Sequence, residues 1–184
     1  MTAHDRLVFL LATRSTRCGN FTLASGRTSN VYIDARLTTM SPDGLATVGP
    51  LALERLRAAG LQPDSVGGLT LGADPVSYAI AYASAQAGVP VRAFTVRKEP
   101  KTHGTSKLIE GPFVPGDRVV IVEDVITTGG SAHRAVAAVR AAGGVVIGVL
   151  AVVDRQEGGR EALVSTGVPV ISLTTATEIL AQVH

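Results

Sequence analysis

Cysteine is nearly missing from this chain, and its scarcity limits what the protein can be. Cys18 is the only cysteine among 184 residues, so no disulfide can form within the chain and a reducing compartment is expected. Long apolar runs are also missing, since no stretch reaches about 18 uncharged apolar residues, the length of a membrane helix. The N-terminus lacks the basic-then-apolar pattern of a secretion signal. We therefore expect a cytoplasmic protein with no membrane span.

An excess of charge of one sign is missing too. The chain carries 17 Lys and Arg residues against 15 Asp and Glu residues. This balance argues against nucleic-acid binding through bulk electrostatics, although the sequence pI is near 9. Hydrophobic residues make up 46% of a chain whose length suits one compact domain with a sizeable core. We therefore expect residues 1–184 to form a single domain.

Five short apolar runs are predicted to be core strands of a sheet that is buried on both faces. The segments between them are rich in alanine and punctuated by glycine, which predicts helices. The runs are Val66–Leu71, Val91–Val96, Val119–Val122, Val145–Val153 and Val168–Leu173. The pattern predicts an α/β fold with a mostly parallel five-stranded central sheet and helices on both faces. Ligands are expected at the carboxyl ends of the strands.

Two prolines mark helices between these strands. Pro50 lies inside a helix predicted to begin at Ser41-Pro42 and to run to about Ala59, and it should kink or break that helix. Asp74 is predicted to cap the helix after the first core strand, with Pro75 in its first turn. This junction needs no ligand, but it lies at the same sheet edge as the phosphate loop described next. Whether it contacts a ligand is left open.

The stretch Val119–Ser131 is the strongest candidate for a binding site. Its apolar run is followed by two acids and then by a small-residue loop that leads into an alanine-rich helix. The free N–H groups of the first helical turn favour an anion at this point. The loop residues that are small or carry a hydroxyl group are Thr127, Thr128, Gly129, Gly130 and Ser131. Neither the Gly-Lys-Ser/Thr of a triphosphate loop nor the G-x-G-x-x-G of a dinucleotide site is present.

Glu123 and Asp124 precede this loop and need a partner other than phosphate, because carboxylates repel phosphate. The hydroxyl groups of a ribose would suit them, as would a divalent cation carried by the ligand. The predicted ligand is therefore a phosphorylated sugar. The alternative is structural, with the two acids ending a strand and Ser131 capping a helix.

Residues 97–115 show no apolar period and are predicted to form a mobile loop. Structureless segments longer than about 12–15 residues are uncommon in compact domains and are often functional. Cations such as Lys98 and Lys101 occur here among Gly, Pro, Ser and Thr, as in a lid that closes over an anionic leaving group. The alternative is an ordinary solvated charge run.

Several segments together resemble the orotate phosphoribosyltransferases. Val119–Ser131 is similar to the phosphoribosyl-pyrophosphate motif of the wider type I phosphoribosyltransferase family. Arg97–Gly104 matches the orotate enzymes' catalytic loop, Arg-Lys-Glu-x-Lys-x-His-Gly, at every specified position. Asp154–Glu157 resembles the segment that supplies an arginine to the base, although Arg155 on its own would be an ordinary surface arginine. Phe21–Arg27 resembles a further family segment, Phe-Thr-Leu-x-Ser-Gly-Arg.

The resemblance implies a type I phosphoribosyltransferase fold with a small N-terminal hood over roughly residues 1–40. By this resemblance, Tyr32 and Ile33 would lie where the family's hood packs on the base. The implied reaction transfers the 5-phosphoribosyl group from phosphoribosyl pyrophosphate to orotate in pyrimidine biosynthesis. Mg²⁺ would enter with the diphosphate and be held mostly by substrate oxygens and water. The enzyme would be a homodimer, since members of the family contribute the catalytic loop to the neighbouring subunit's site.

The resemblance also assigns roles to individual residues. Lys101 and Asp124 are expected to be catalytic. Thr127 and Arg155 are expected to bind orotate, whose carboxylate an arginine fork fits well. The expected contacts of phosphoribosyl pyrophosphate are Arg97, Lys98, Lys101, His103, Glu123, Asp124, Val125, Ile126, Thr127, Thr128, Gly129, Gly130 and Ser131.

Two departures from the family pattern concern cations. Many members carry a lysine at the position of Ala24 and another in the loop at residues 72–77, and this chain has neither. The catalytic-loop cations would then carry more of the diphosphate charge. Two alternatives stay open. One is a phosphoribosyltransferase for another base, and the other is a non-catalytic regulator that senses phosphoribosyl pyrophosphate.

Overall fold

A computed structural model describes residues 1–22, 28–99 and 107–183 of the chain. They form a six-stranded sheet and a separate two-stranded sheet. The small sheet consists of β1 (Thr16–Thr22) and β2 (Thr28–Ile33). The large sheet consists of β3 (Ser65–Leu69), β4 (Arg92–Val96), β5 (Ile109–Glu110), β6 (Arg118–Ile126), β7 (Val145–Asp154) and β8 (Val170–Thr175).

The large sheet has the strand order β5-β4-β3-β6-β7-β8. Every neighbouring pair is parallel except β4 and β5, which are antiparallel. The predicted α/β fold and mostly parallel sheet are therefore confirmed. The predicted count of five strands is wrong, because the sheet has six.

β5 is the strand that the sequence does not reveal, and it lies within the predicted loop of residues 97–115. It pairs with β4 through Ile109 and Glu110. Next to it, Phe113 packs edge-on against Phe94, with 5.5 Å between the ring centroids. A strand of two residues is too short to show a period of two in the sequence, so only its pairing identifies it.

The helices lie in two layers against this sheet. They are α1 (Ala3–Leu10), α2 (Arg36–Thr39), α3 (Pro42–Ala58), α4 (Ala73–Gln86), α5 (Gly130–Ala141), α6 (Gly159–Val164) and α7 (Ala176–Leu180). A π-helical turn, Leu11–Ser15, links α1 to β1. Across the described ranges, the helices are too short or too polar to cross a membrane.

β6 separates the two apolar layers of the core. Val120 and Val122 pack with α1, α3, α4 and α7 on one face. Val119 and Ile121 pack with α5 and α6 on the other face. All four side chains are 0% exposed, as expected for a strand buried on both faces of a parallel sheet. Helices on both faces are thereby confirmed as well.

α3 continues through Pro50, so the predicted break of this helix is wrong. The residues around the proline are buried, with Val48, Leu51 and Ala52 at most 2% exposed. Gly49 packs so closely on α4 that an added Cβ would come within 2.4 Å of the Ala79 carbonyl oxygen. Tertiary packing of this face holds the helix together where local preference alone would end it.

Candidate active site

A cavity of about 360 Å³ lies at the carboxyl ends of β3, β6 and β7. This is the edge at which open α/β sheets bind ligands. The segment after β2, the turn after β3 and the ends of β6 and β7 all contribute to it. Its lining residues are Tyr32, Ile33, Asp34, Ala35, Arg36, Leu69, Thr70, Leu71, Gly72, Lys98, Glu123, Asp124, Val125, Thr127, Ser131, Arg134 and Arg155.

A second cavity of about 250 Å³ lies at the N-terminus of α5 and shares several lining residues with the first. Its walls include the whole predicted phosphate loop, from Thr127 to Ser131. Gly129 precedes the helix with a φ of 80°, a left-handed conformation that glycine adopts without steric cost. The first N–H groups of α5 have no partner within the helix, so this end favours an anion.

Glu123 and Asp124 lie near the end of β6, where Glu123 lines both cavities and Asp124 lines the first. Glu123 is 5% exposed, and its Oε1 has no hydrogen-bond partner in the described part of the chain. Burial, reinforced by the charge of Asp124, raises the pKa of Glu123 to about 8, and Arg134 opposes this shift. Burial also raises the pKa of Asp124, although a hydrogen bond from the Val125 N–H at 2.9 Å opposes that shift. Glu123 is therefore largely protonated at neutral pH.

Arg155 enters the first cavity from the end of β7. Its side chain is only 8% exposed, and its Nη2 lies 2.7 Å from Glu157 Oε1. The same nitrogen lies 3.5 Å from Ser29 Oγ and 3.5 Å from the Val31 carbonyl oxygen, both in β2. Arg155 is thus a buried, oriented cation beneath the small N-terminal sheet, rather than an ordinary surface arginine.

The segment after β2 adds an ion pair that sequence reasoning missed. The Arg36 side chain donates two hydrogen bonds to Asp34, from Nε to Oδ1 at 2.8 Å and from Nη2 to Oδ2 at 2.9 Å. The hydrogen bond from Arg36 lowers the pKa of Asp34, and the Arg36 charge also favours the ionised form of Asp124. An Asp-x-Arg pattern after a strand carries no particular signal, so only the fold shows that the pair faces the acids.

Arg134 is a second residue that sequence reasoning missed. It lines both cavities, and its charge acts on Glu123. A helical signal could have found it, because Arg134 lies four residues after Gly130 and three after Ser131. Those spacings place side chains on one face of a helix, here the face that continues the phosphate loop.

The turn after β3 forms the opposite wall of the first cavity. Gly72 lies against Asp124, and an added Cβ would come within 2.4 Å of Asp124 Oδ1. The Thr70–Leu71 peptide bond in this turn is cis. The prediction that Asp74 caps α4 is wrong, since α4 begins at Ala73. The Asp74 carboxylate instead accepts hydrogen bonds from the hydroxyls of Thr70 and Thr95, at 2.7 and 2.8 Å, which ties the turn to β4.

The predicted catalytic loop is only partly described. Lys98 lines the first cavity, and its contact with the diphosphate stays a prediction. Arg97 lines neither cavity and lies with its Nη1 3.6 Å from Glu110 Oε1. Lys101, His103 and the position of Ala24 lie outside the described residues, so their assigned roles stay predictions.

The described residues contain no cluster of three or more side chains suited to hold a metal ion. Asp124, and Glu123 once it is deprotonated, nevertheless offer hard oxygen donors, and Glu123 Oε1 lacks a partner among the described residues. Mg²⁺ is commonly held by one or two carboxylates together with substrate phosphates and water. The donor set therefore fits an ion that arrives with a phosphorylated ligand.

Comparisons with known proteins agree with this geometry. Residues 40–169 match the family model of the phosphoribosyl transferase domain. The chain is 45% identical over 183 residues to the orotate phosphoribosyltransferase of Aquifex aeolicus, covering 98% of this chain and 99% of the relative. It also resembles crystal structures of the Mycobacterium tuberculosis H37Rv orotate phosphoribosyltransferase.

The complex of that enzyme with inorganic phosphate has a TM-score of 0.83 at 41% identity, covering 96% of this chain and 98% of the other. Its complex with 5-phospho-alpha-D-ribosyl 1-diphosphate has a TM-score of 0.81 at 40% identity, covering 97% and 99%. The matches extend over nearly the whole chain and include the sheet edge that carries both cavities. The chain therefore belongs to the orotate phosphoribosyltransferase family within the type I phosphoribosyltransferases.

Proposed function

We propose that this protein transfers the 5-phosphoribosyl group from phosphoribosyl pyrophosphate to N1 of orotate. The products are orotidine 5′-monophosphate and pyrophosphate, and the reaction is a step of pyrimidine biosynthesis. The observation that carries the proposal is the meeting of three recognition elements at one sheet edge: the acid pair Glu123–Asp124, the anion-binding N-terminus of α5 and the buried cation Arg155. A ribose, a 5′-phosphate and an anionic base need these three elements.

The phosphoribosyl part of the donor fits the two adjoining cavities. The loop from Thr127 to Ser131 would receive the 5′-phosphate, with Arg134 adding charge at the boundary of the two cavities. Glu123, protonated at neutral pH, can donate a hydrogen bond to a ribose hydroxyl, and Asp124 can accept one. An ionised Asp124 also favours positive charge that develops on the ribose in the transition state.

The base would lie beneath the small N-terminal sheet, near Arg155. Orotate differs from uracil by its carboxylate, and a buried carboxylate needs a charged, hydrogen-bonded partner. Arg155 supplies that partner from a largely buried position. Thr127 lines the same cavity and is the second proposed base contact. Tyr32 lines the same cavity and packs on Phe21, with 5.6 Å between the ring centroids.

The pyrophosphate leaving group would need cations and Mg²⁺. Lys98 supplies one charge from the cavity wall. We propose that Arg97, Lys101 and His103 act with it when the loop closes over the donor and excludes water. Mg²⁺, when bound, would neutralise charge on the diphosphate, and Asp124, together with Glu123 once it loses its proton, could supply carboxylate oxygens to it. The related Mycobacterium tuberculosis enzyme, whose crystal structure contains phosphoribosyl pyrophosphate, supports this donor.

We also propose a homodimer in which the loop of each chain serves the neighbouring site. The outer surface of α3 and α4 supports assembly, because Leu45, Tyr78 and Tyr82 are 37%, 53% and 72% exposed there and line adjoining apolar cavities. The proposed location is the cytoplasm, where an exposed thiol such as Cys18 stays reduced.

Base selection separates this proposal from its two alternatives. The protein would be incubated with phosphoribosyl pyrophosphate, Mg²⁺ and one base at a time, and pyrophosphate release would be measured. Release with orotate, and none with uracil, adenine, hypoxanthine or guanine, is the expected result. Release with another base only would identify a sister enzyme. Tight donor binding without release for any base would identify a sensing protein.

A further inference from the structure

The turn that presents Arg155 contains an unusual backbone conformation. Gln156 has a φ of 59°, and it is the one non-glycine residue with a positive φ in residues 1–22, 28–99 and 107–183. A side chain disfavours this left-handed region, because Cβ comes too close to a carbonyl oxygen. Such a conformation persists only where surrounding contacts hold it, and these positions cluster at functional sites. The contacts around Gln156 are therefore informative.

Three hydrogen bonds hold Gln156 from two sides. Its N–H donates to Asp154 Oδ1 at 2.8 Å. Its side-chain Oε1 accepts from the Thr177 hydroxyl at 2.6 Å and from the Thr177 N–H at 3.2 Å. Thr177 belongs to the first turn of α7, whose N–H groups have no partner within the helix. The last helix of the chain is thus tied to the turn that follows β7.

Arg155, which precedes Gln156, is held through both its backbone and its side chain. Its backbone N–H donates to the Ile126 carbonyl oxygen at 2.9 Å. Its Nη2 donates to Glu157 Oε1 at 2.7 Å and lies 3.5 Å from two oxygens of β2. In the part of the chain that the structure describes, Nε and Nη1 have no such partner. Protein contacts therefore fix one corner of the guanidinium and leave Nε and Nη1, which carry three N–H groups, for a ligand.

We propose that Gln156, clamped by Thr177, and Glu157 are positioning residues that orient Arg155 toward the base. The left-handed turn at Gln156 brings residues 155 and 157 together, the clamp to α7 fixes this turn, and Glu157 fixes the guanidinium. The inference deepens the proposed function and rests on it, since Arg155 reads the carboxylate of orotate. It assigns part of the base specificity to α7, an element that does not line the cavity.

Steady-state kinetics with both substrates test the clamp. Thr177→Val removes the hydroxyl donor, and Gln156→Gly removes the acceptor while allowing the left-handed backbone. Each should raise KM for orotate by about threefold to tenfold, as for the loss of one neutral hydrogen bond. KM for phosphoribosyl pyrophosphate should stay near the wild-type value. Gln156→Glu keeps an acceptor oxygen and should retain a nearly normal KM for orotate.

Glu157 is tested in the same assay by a matched pair of variants. Glu157→Ala should raise KM for orotate, whereas Glu157→Gln keeps an acceptor for Arg155 and should restore most of the loss. Thermal unfolding of every variant shows whether the fold is intact. The conservative variants Gln156→Glu and Glu157→Gln keep the comparison informative if a truncated variant unfolds.

A double-mutant cycle separates positioning from general support of the fold. If Thr177 acts through Arg155, adding Thr177→Val to Arg155→Ala should change KM for orotate little further. If the effects of Thr177→Val and Arg155→Ala on KM for orotate are fully additive, the proposal is overturned. An unchanged KM for orotate in Thr177→Val and Gln156→Gly would also overturn it. An equal rise of KM for both substrates would overturn it as well. A wild-type protein without activity on orotate would overturn the proposed function and this inference together. If the wild type is active but the variants do not change KM for orotate as expected, only the inference about Gln156, Thr177 and Glu157 fails.

Discussion

At the scale of single residues, the proposed function assigns the choice of base to Arg155. Arg155→Ala should raise KM for orotate by about one to two decades, which corresponds to roughly 1.5–3 kcal/mol for a hydrogen bond to a charged group. Binding of phosphoribosyl pyrophosphate to the free enzyme should stay near normal. Arg155→Lys should rescue the loss only partly, because a point charge cannot replace the guanidinium fork.

Titration of both ligands against the Arg155 variants measures this effect. Arg140→Ala is a suitable control, since it removes an exposed arginine from α5 that lines neither cavity. Equal loss of affinity for both ligands in Arg155→Ala would mean that this residue supports the fold or the phosphate site. The assignment of orotate as substrate would then lose its main structural support.

Glu123 should make the stability of the unliganded protein depend on pH. Its pKa is about 8 in the folded chain against an ordinary value of 4.5. The folded state therefore binds more protons than the unfolded state between these pH values, and the free energy of unfolding should fall as pH rises from about 5 to about 8. Glu123→Gln should remove this fall in the free energy of unfolding, so the variant should unfold at a higher temperature than the wild type at pH 8. It should also catalyse more slowly.

Thermal unfolding at a series of pH values between 5 and 9 tests this expectation. Glu54→Gln provides a matched control, because Glu54 is an exposed carboxylate on α3. A Glu123→Gln variant with the same pH dependence as the wild type would show that the Glu123 carboxyl titrates normally. The stabilisation at pH 8 would then have no basis.

Sequence reasoning found these residues to different degrees, for physical reasons. Glu123, Asp124 and the loop from Thr127 to Ser131 are contiguous, so one local pattern reveals them. Arg155 was found only through resemblance, because its burial depends on β2, which is more than a hundred residues away. Arg36 was missed because its role arises where separate elements converge on the cavity. Arg134 was missed although its helical spacing from Ser131 places it on the face that continues the phosphate loop.

At the scale of elements, the catalytic loop should act on the leaving group. Lys101→Ala should fold normally and lose turnover, with a rise in the barrier of roughly 3–4 kcal/mol for the loss of one preorganised donor. Lys107→Ala serves as the control, because it removes the same charge from a later position in the loop, where Lys107 lines an apolar cavity that is separate from the site. Steady-state turnover of the two variants measures the difference. Wild-type turnover of Lys101→Ala would mean that the segment is only a solvated charge run.

Strands and helices differed in how well the sequence predicted them. β6 was clear because four consecutive side chains are buried, which requires an uninterrupted apolar run. β5 was missed because two residues cannot display a period. α3 was predicted to kink or break at Pro50, and packing against α4 kept the helix from breaking there. The strand order follows from pairing between distant segments, which no local pattern encodes.

At the scale of the whole molecule, the loop should serve the neighbouring subunit. Lys101→Ala and Asp124→Asn chains should each be nearly inactive alone. In a mixed dimer, one of the two sites would combine an intact loop with an intact acid pair, and the other would have neither. Each mixed dimer should therefore regain up to about half of the activity of a wild-type dimer. Verified heterodimers that show no recovery would contradict the sharing of the loop.

The central claim is tested most directly by following the absorbance of orotate in the presence of phosphoribosyl pyrophosphate and Mg²⁺. The wild-type protein should consume orotate and release pyrophosphate and orotidine 5′-monophosphate in equal amounts, and Asp124→Asn should do so far more slowly. Orotate that stays unchanged with the wild-type protein, while the donor binds normally, would contradict the account.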